Sequence, residues 1–372
     1  MTDRNASEKV LSGASSGVLS EPLRSEESGA DKSAADQAST LRRLMRGADH
    51  VRIGETPGSV VSPLPARAAS ISVGPVVHDE PHRDRARESQ RPTRIRLARA
   101  IAVTSGKGGV GKTNLAVNLA IALAGQRRVC LLDADLGMAN ADLLCGLSPR
   151  TTLEDVILGG RSIEEVMILA PGGFRLVPGA SGVASVANLG LEGRRRLLAQ
   201  LASLERTTDL ILIDTAAGIA SNSIAFAAAA HTVLVAVTPE PTSITDAYGA
   251  IKTIITKVRT PNLKLIVNMV NDRDEGEEVF RRIDRVSRTF LDTPLELAGI
   301  VPFDLAVRAC VKKREPVLLA QPDCPASRAI RAIARGLIDS ESTEQPGCID
   351  PSAFSEARSG FLTRLAGWLA RG

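Results

Sequence analysis

The sequence predicts a doubly wound α/β domain, a mostly parallel sheet with helices on both faces. Three observations predict it. From Ala100 onward, short runs of Val, Ile and Leu alternate with segments of helical periodicity, the pattern of strands buried on both faces. The glycine-rich segment GKGGVGKT, residues 106–113, falls in the turn between the first such strand and the first helix. Acidic residues close two of the apolar runs, at Asp133 and Asp214, and sheets of this kind bind ligands just beyond the carboxyl ends of their strands.

Residues 1–95 contain no Phe, Tyr or Trp and are rich in Ser, Ala, Arg, Glu and Pro. That composition cannot bury enough apolar surface to offset the entropy of ordering, so this region is expected to be mostly disordered. The folded domain is expected over 96–339, enough chain for one large core. Strands are predicted at Ala100–Ser105, Arg128–Asp133, Arg175–Pro178, Leu210–Asp214, His231–Val237, Lys264–Asn268 and Glu296–Val301. Helices are predicted at Thr113–Ala124, Leu191–Leu204, Thr242–Val258, Glu275–Phe290 and Ala326–Ile338. The apolar stretch from Ile224 to Val237 is interrupted by His231 and is too short to span a bilayer, so it reads as a helix end followed by a buried strand. A polar linker is expected over 340–353. The segment 354–372 then turns amphipathic and is expected to be a separate element.

Composition bounds the chemistry. The net charge of +4 is too small to argue for nucleic acid as the main partner, and Lys312, Lys313 and Arg314 read as a solvated helix end. Five cysteines, Cys130, Cys145, Cys310, Cys324 and Cys348, are an odd number without C-x-x-C spacing, which points away from a disulfide framework and from a zinc or cluster site. The first thirty residues lack the apolar core of a signal segment, and a reducing cytoplasm is the expected location.

The strand-to-helix turn carries the strongest signal. Gly106, Gly108, Gly109 and Gly111 permit backbone angles and close approach that side chains would block, so that the N–H groups of the loop, Val110 included, can surround anionic oxygens at a helix N-terminus. Lys112 would neutralise the outer phosphates of a nucleotide, and the Thr113 hydroxyl would bind Mg²⁺. A second lysine, Lys107, lies inside the loop. With it, KGGVGKT resembles the deviant phosphate loop of the MinD/ParA family of P-loop ATPases. The resemblance implies ATP and Mg²⁺ as ligands and a homodimer formed around two ATP molecules, with Lys107 reaching the partner's phosphates in the manner of an arginine finger. It also implies that Asp135 positions the attacking water, that Asp133 supports the magnesium shell, and that Asp214 holds Mg²⁺ ahead of a responsive loop containing Gly218. Asn268 resembles the adenine-reading Asn of the family, Pro302 and Phe303 match the segment bordering the base, and the turn from Thr238 to Pro241 matches one assigned to structure and dimer contact.

Three further features separate the branches of that family. The terminal residues Phe361, Leu362, Leu365, Trp368 and Leu369 fall on one helical face flanked by Arg364 and Arg371, which fits an amphipathic helix directed at the inner face of the cytoplasmic membrane when ATP is bound. The segment Asp36, Gln37, Ala38, Ser39, Thr40, Leu41, Arg42 resembles the D-Q-A-x-x-L-R activator motif of the FlhG branch, flagellar placement and number regulators that stimulate the signal-recognition-type GTPase FlhF. The run from Cys130 to Leu147 is also similar to that branch. The resemblance further implies docking on the flagellar C-ring or on a flagellar transcription regulator. About fifty residues separate the motif from the first strand, longer than the resemblance leads one to expect. Two alternatives stay open on the sequence, a MinD-like division-site regulator, separable by its partner, and a ParA-like DNA-partition ATPase, separable by salt-dependent DNA binding.

Overall fold

A computed structural model describes residues 97–135, 137–180, 191–218, 221–257, 262–343 and 360–371; the motif at 36–42 lies outside the described residues. The chain begins with β1 (Arg99–Thr104), α1 (Lys112–Ala124) and β2 (Val129–Ala134). Three short helices follow, α2 (Ala141–Leu144), α3 (Leu153–Ile157) and α4 (Ile163–Val166), then β3 (Ile168–Leu169) and β4 (Arg175–Val177). Next come α5 (Leu191–Thr207), β5 (Leu210–Thr215), α6 (Ser221–Ala229), β6 (Thr232–Val237), α7 (Pro241–Lys257), β7 (Leu263–Val270), α8 (Arg273–Leu291) and β8 (Glu296–Pro302). The last elements are α9 (Leu305–Lys313), α10 (Val317–Ala320), α11 (Pro325–Thr343) and α12 (Phe361–Arg371).

The eight strands form one sheet in the order β3-β4-β2-β5-β1-β6-β7-β8, parallel throughout except where β3 turns back along β4. The predicted mostly parallel, doubly wound sheet is therefore the observed one. Alternation within each strand divides the core between two faces. On β1, Ala100 and Ala102 join the layer under α5, α6 and α7, whereas Ile101 and Val103 join the layer under α1 and α11. The short helices α3 and α4, which periodicity does not predict, begin at capping boxes: Thr152 and Asp155 exchange hydrogen bonds with each other's backbone N–H, as do Ser162 and Glu165.

The terminal segment forms the helix expected of it, and that helix is docked on the domain: Phe361 and Leu365 are buried in the core layer with α5 and α6, and Leu362 packs partly against it. The apolar face is real, but a protein groove satisfies it as well as a membrane does. The side chains of Trp368 and Leu369 lie outside the described residues. Glu205, buried near the end of α5, receives the N–H groups of Phe361 and Leu362 and so caps the helix start, while burial pushes its carboxyl above the usual range. A side chain at Gly360 would begin 2.4 Å from the Glu205 Oε1 atom, so a larger residue there would have to displace the capping carboxylate. Among the described residues, no helix is long and apolar enough to cross a membrane.

His231, just ahead of β6, is bonded to the central strand and lies near Arg364 of this helix. Its Nδ1 atom accepts the Ala100 N–H at 2.9 Å, and burial, reinforced by Arg364 and Arg99, pushes the imidazole down to about 3. The folded state therefore keeps His231 neutral where the unfolded chain protonates it, and stability falls as pH drops from about 6.5 toward 3. At pH 5 this group should remove about 2 kcal/mol relative to pH 7. Urea denaturation at the two pH values should show a smaller difference for His231→Gln than for the wild-type chain.

Candidate functional site

The site lies at the carboxyl ends of the central strands. β1 ends at Thr104, and the loop from Ser105 to Gly111 delivers the chain into α1. Gly106 is required by packing: a Cβ there would sit 2.0 Å from the backbone carbonyl of Asp246 in α7. Gly109 and Gly111 have φ of 81° and 87°, angles that favour glycine. No side chain caps α1, and its first turn holds no acidic residue. Its N-terminal N–H groups and partial positive charge are thus left facing the loop, the arrangement that binds a phosphate. Lys112 opens this helix and is buried, and Thr113 follows it.

Opposite the loop stand two carboxylates. Asp133 on β2 and Asp214 on β5 are register partners, so the parallel pairing sets them side by side. Asp133 is fully buried and accepts the N–H groups of Asp135, Asn140 and Ala141 at 3.2, 3.1 and 3.1 Å. Burial and the neighbouring Asp214 still push it well above the usual carboxylate range. Asp214 is in a harsher position. Among the described residues no donor reaches either oxygen in full hydrogen-bond geometry, and burial pushes the carboxyl up to about 6, although the Thr113 hydroxyl stands close enough, with Lys112, to oppose the shift. A buried carboxylate with both oxygens unmatched, facing a threonine hydroxyl at a phosphate loop, fits a divalent cation.

The other expected residues are less uniform in their placement. Asp135 is half-buried, and its Oδ1 atom accepts the N–H groups of Gly137 and Met138 at 3.2 and 3.0 Å, which ties it into its own turn. Lys107 turns away from its own loop: its Nζ atom lies 2.6 Å from the Glu240 carboxylate and 2.9 Å from the Thr242 hydroxyl, at the exposed start of α7. Gly218 has φ of 87° and donates its N–H to the Ser105 carbonyl at 2.8 Å, joining the loop after β5 to the start of the phosphate loop. Asn268 is buried and donates from Nδ2 to the Val110 carbonyl at 2.8 Å, so it also braces the phosphate loop. Pro302 ends β8, and Phe303 beyond it is exposed.

Sequence reasoning placed the turn from Thr238 to Pro241 at a contact surface but missed that Glu240 and Thr242 hold Lys107. The residues are 133 and 135 positions apart, and no local pattern connects them. It also missed the pressure of α7 on Gly106.

Residues 101–317 match the model of the CobQ/CobB/MinD/ParA nucleotide binding domain. The chain belongs to this family. It is 45% identical over 236 residues to the antiactivator FleN of Pseudomonas aeruginosa, covering 63% of this chain and 84% of that protein. It is 32% identical over 246 residues to the flagellum site-determining protein YlxH of Helicobacter pylori, covering 65% of this chain and 83% of that one. The cell division ATPase MinD of Pyrococcus furiosus superposes with a TM-score of 0.56 at 25% identity, covering 66% of this chain and all of MinD. Family and relatives together make this a FlhG-type MinD/ParA ATPase.

In this ATPase the charge on Asp214 works against folding. Asp214→Asn should therefore stabilise the nucleotide-free protein by about 2–3 kcal/mol at pH 7.5, where the folded state otherwise holds an unfavourable carboxylate. The gain should vanish below about pH 4, where the unfolded chain protonates its aspartates as well. Denaturation curves check the first effect. The same variant should lose Mg²⁺-dependent ATP binding, measured by calorimetry.

Proposed function

We propose that this chain is an ATP-driven dimerising switch that controls the placement and number of flagella. The observation that carries the dimer is the position of Lys107. A lysine inside a phosphate loop that bonds Glu240 and Thr242 instead of facing its own loop is free to serve a second copy, provided those two bonds are exchanged. Residues of one copy then act as follows. The N–H groups from Gly106 to Lys112 hold the phosphates, Lys112 neutralises the outer ones, and Thr113 and Asp214 hold Mg²⁺, with Asp133 supporting its shell. Bound there, Mg²⁺ offsets phosphate charge and polarises the bond that breaks. Asp135 orients water once its turn contacts are released, and Lys107 of the opposing copy stabilises charge on the transferred group. Gly218, bonded to the first residue of the loop, carries the presence of the third phosphate to α6.

The flagellar reading rests on the likeness to FleN and YlxH and on the segment Asp36 to Arg42. In this reading Gln37 and Arg42, with Asp36, Ala38 and Leu41 presenting them, stimulate an FlhF-like GTPase, and α12 leaves its groove so that Phe361, Leu362, Leu365, Trp368 and Leu369 meet the cytoplasmic membrane. Two copies double that anchor, which makes membrane affinity depend on ATP.

With ATP and Mg²⁺, the wild-type chain should double in mass by light scattering and sediment with anionic liposomes. Lys107→Ala should keep most nucleotide affinity, remain monomeric and stay in the supernatant; a dimer formed by that variant removes the trans-acting lysine. The flagellar assignment is tested by GTP turnover of an FlhF-type GTPase mixed with the full chain. Acceleration should reach at least about 10-fold, a modest share of the effect such in-trans groups produce, and the Gln37→Ala, Arg42→Ala double variant should abolish it.

A further inference from the structure

One strand at the nucleotide site is bent by a residue poorly suited to the bend. In β7, Asn268 pairs with Val301 and Val270 with Pro302, and Met269 between them is an extra residue bulged out of the ladder. Its φ is 61°, in the left-handed region. Two other non-glycine residues among those described share such angles, Asp292 and Arg314, and both end helices, where the conformation is ordinary. Met269 ends none. A glycine would take this bulge without strain, so the methionine side chain is carried here at a cost in backbone strain.

The side chain's surroundings show its use. Met269 is 39% exposed beside the buried Asn268, and its Cε atom lies 3.3 Å from where a Cβ on Gly111 would be. It therefore runs along the last glycine of the phosphate loop. On the adjacent strand end, Phe303 is 47% exposed, and its N–H is bonded to the Val270 carbonyl at 2.8 Å. Two exposed apolar groups thus stand at the ends of adjacent strands, beside the Asn268 amide and a phosphate loop. The matching ligand part is flat, apolar on its face and polar at its rim, which describes a nucleobase. We infer that Met269 is a nucleobase-binding residue: its thioether packs on the face of the purine while Asn268 meets the edge. Sulfur against an aromatic face is a favourable contact, and an unbranched side chain reaches it from a bulge. This inference rests on the reading of the site as an ATP site.

Titration of the full chain with ATP, ADP and inorganic tripolyphosphate, each with Mg²⁺, tests it. Met269→Gly should weaken ATP and ADP by about tenfold, the loss of one good apolar contact, and leave tripolyphosphate binding unchanged. Its melting temperature should equal or exceed that of the wild type, because glycine accepts the left-handed angle freely. Met269→Leu should stay within about twofold of wild type for all three ligands, since it conserves apolar volume. A Met269→Gly protein that binds ATP as tightly as wild type overturns the inference. So does an equal loss for tripolyphosphate, which assigns the residue to the shape of the loop. A wild-type chain that binds no ATP removes the underlying reading, and the inference with it.

Discussion

Asp133 and Asp214 stand side by side on neighbouring buried strands, and their repulsion in a poorly polarisable interior governs the arrangement around them. Three backbone N–H groups are committed to the first carboxylate. The second has none, and the nearest positive features are the uncapped start of α1, Lys112 and the Thr113 hydroxyl. Positive and negative partners are thus held apart by the sheet at the spacing their strands dictate. A ligand carrying both phosphate and a divalent cation completes both halves at once. The fold is consequently polarised toward that ligand.

Holding these groups requires close packing that leaves little choice of residue. The α7 backbone presses on Gly106, Asn268 grips the Val110 carbonyl, and Gly218 is bonded to Ser105. Each contact approaches the phosphate loop from a different side, so the loop is clamped by α7, by the end of β7 and by the segment after β5. A shift of any of these would displace the loop itself.

Much of this was legible in the sequence because its causes are local. A glycine-rich turn between an apolar strand and a helix specifies its own geometry, and an acid at the end of a buried run has few other uses. The strands of the central sheet announce themselves by continuous β-branched runs. Features that depend on distant residues were not legible. The two-residue β3 exists only because β4 offers it an edge, and Lys107 finds Glu240 across most of the domain. The bulge at Met269 leaves no trace in LKLIVNMV, whose alternation suits an unbroken strand. The terminal helix shows the limit most plainly: periodicity reveals an apolar face but not what lies against it, and here α5 and α6 do.

The docking of that helix also fixes where the chain joins the domain. A Cβ on Gly360 would stand 3.0 Å from the Leu97 side chain, and Ala98 donates its N–H to the carbonyl of the same Glu205 that caps α12. The point at which the N-terminal region enters and the point at which the last helix begins are therefore neighbours. Both lie at the amino end of β1, about 20 Å of strand from the phosphate loop at its other end. These junctions and the phosphate loop therefore lie at opposite ends of β1. The two places where the described chain enters and leaves its core thus share one residue, Glu205, which ties the start of β1 to the start of α12 at the end of the strand away from the nucleotide loop.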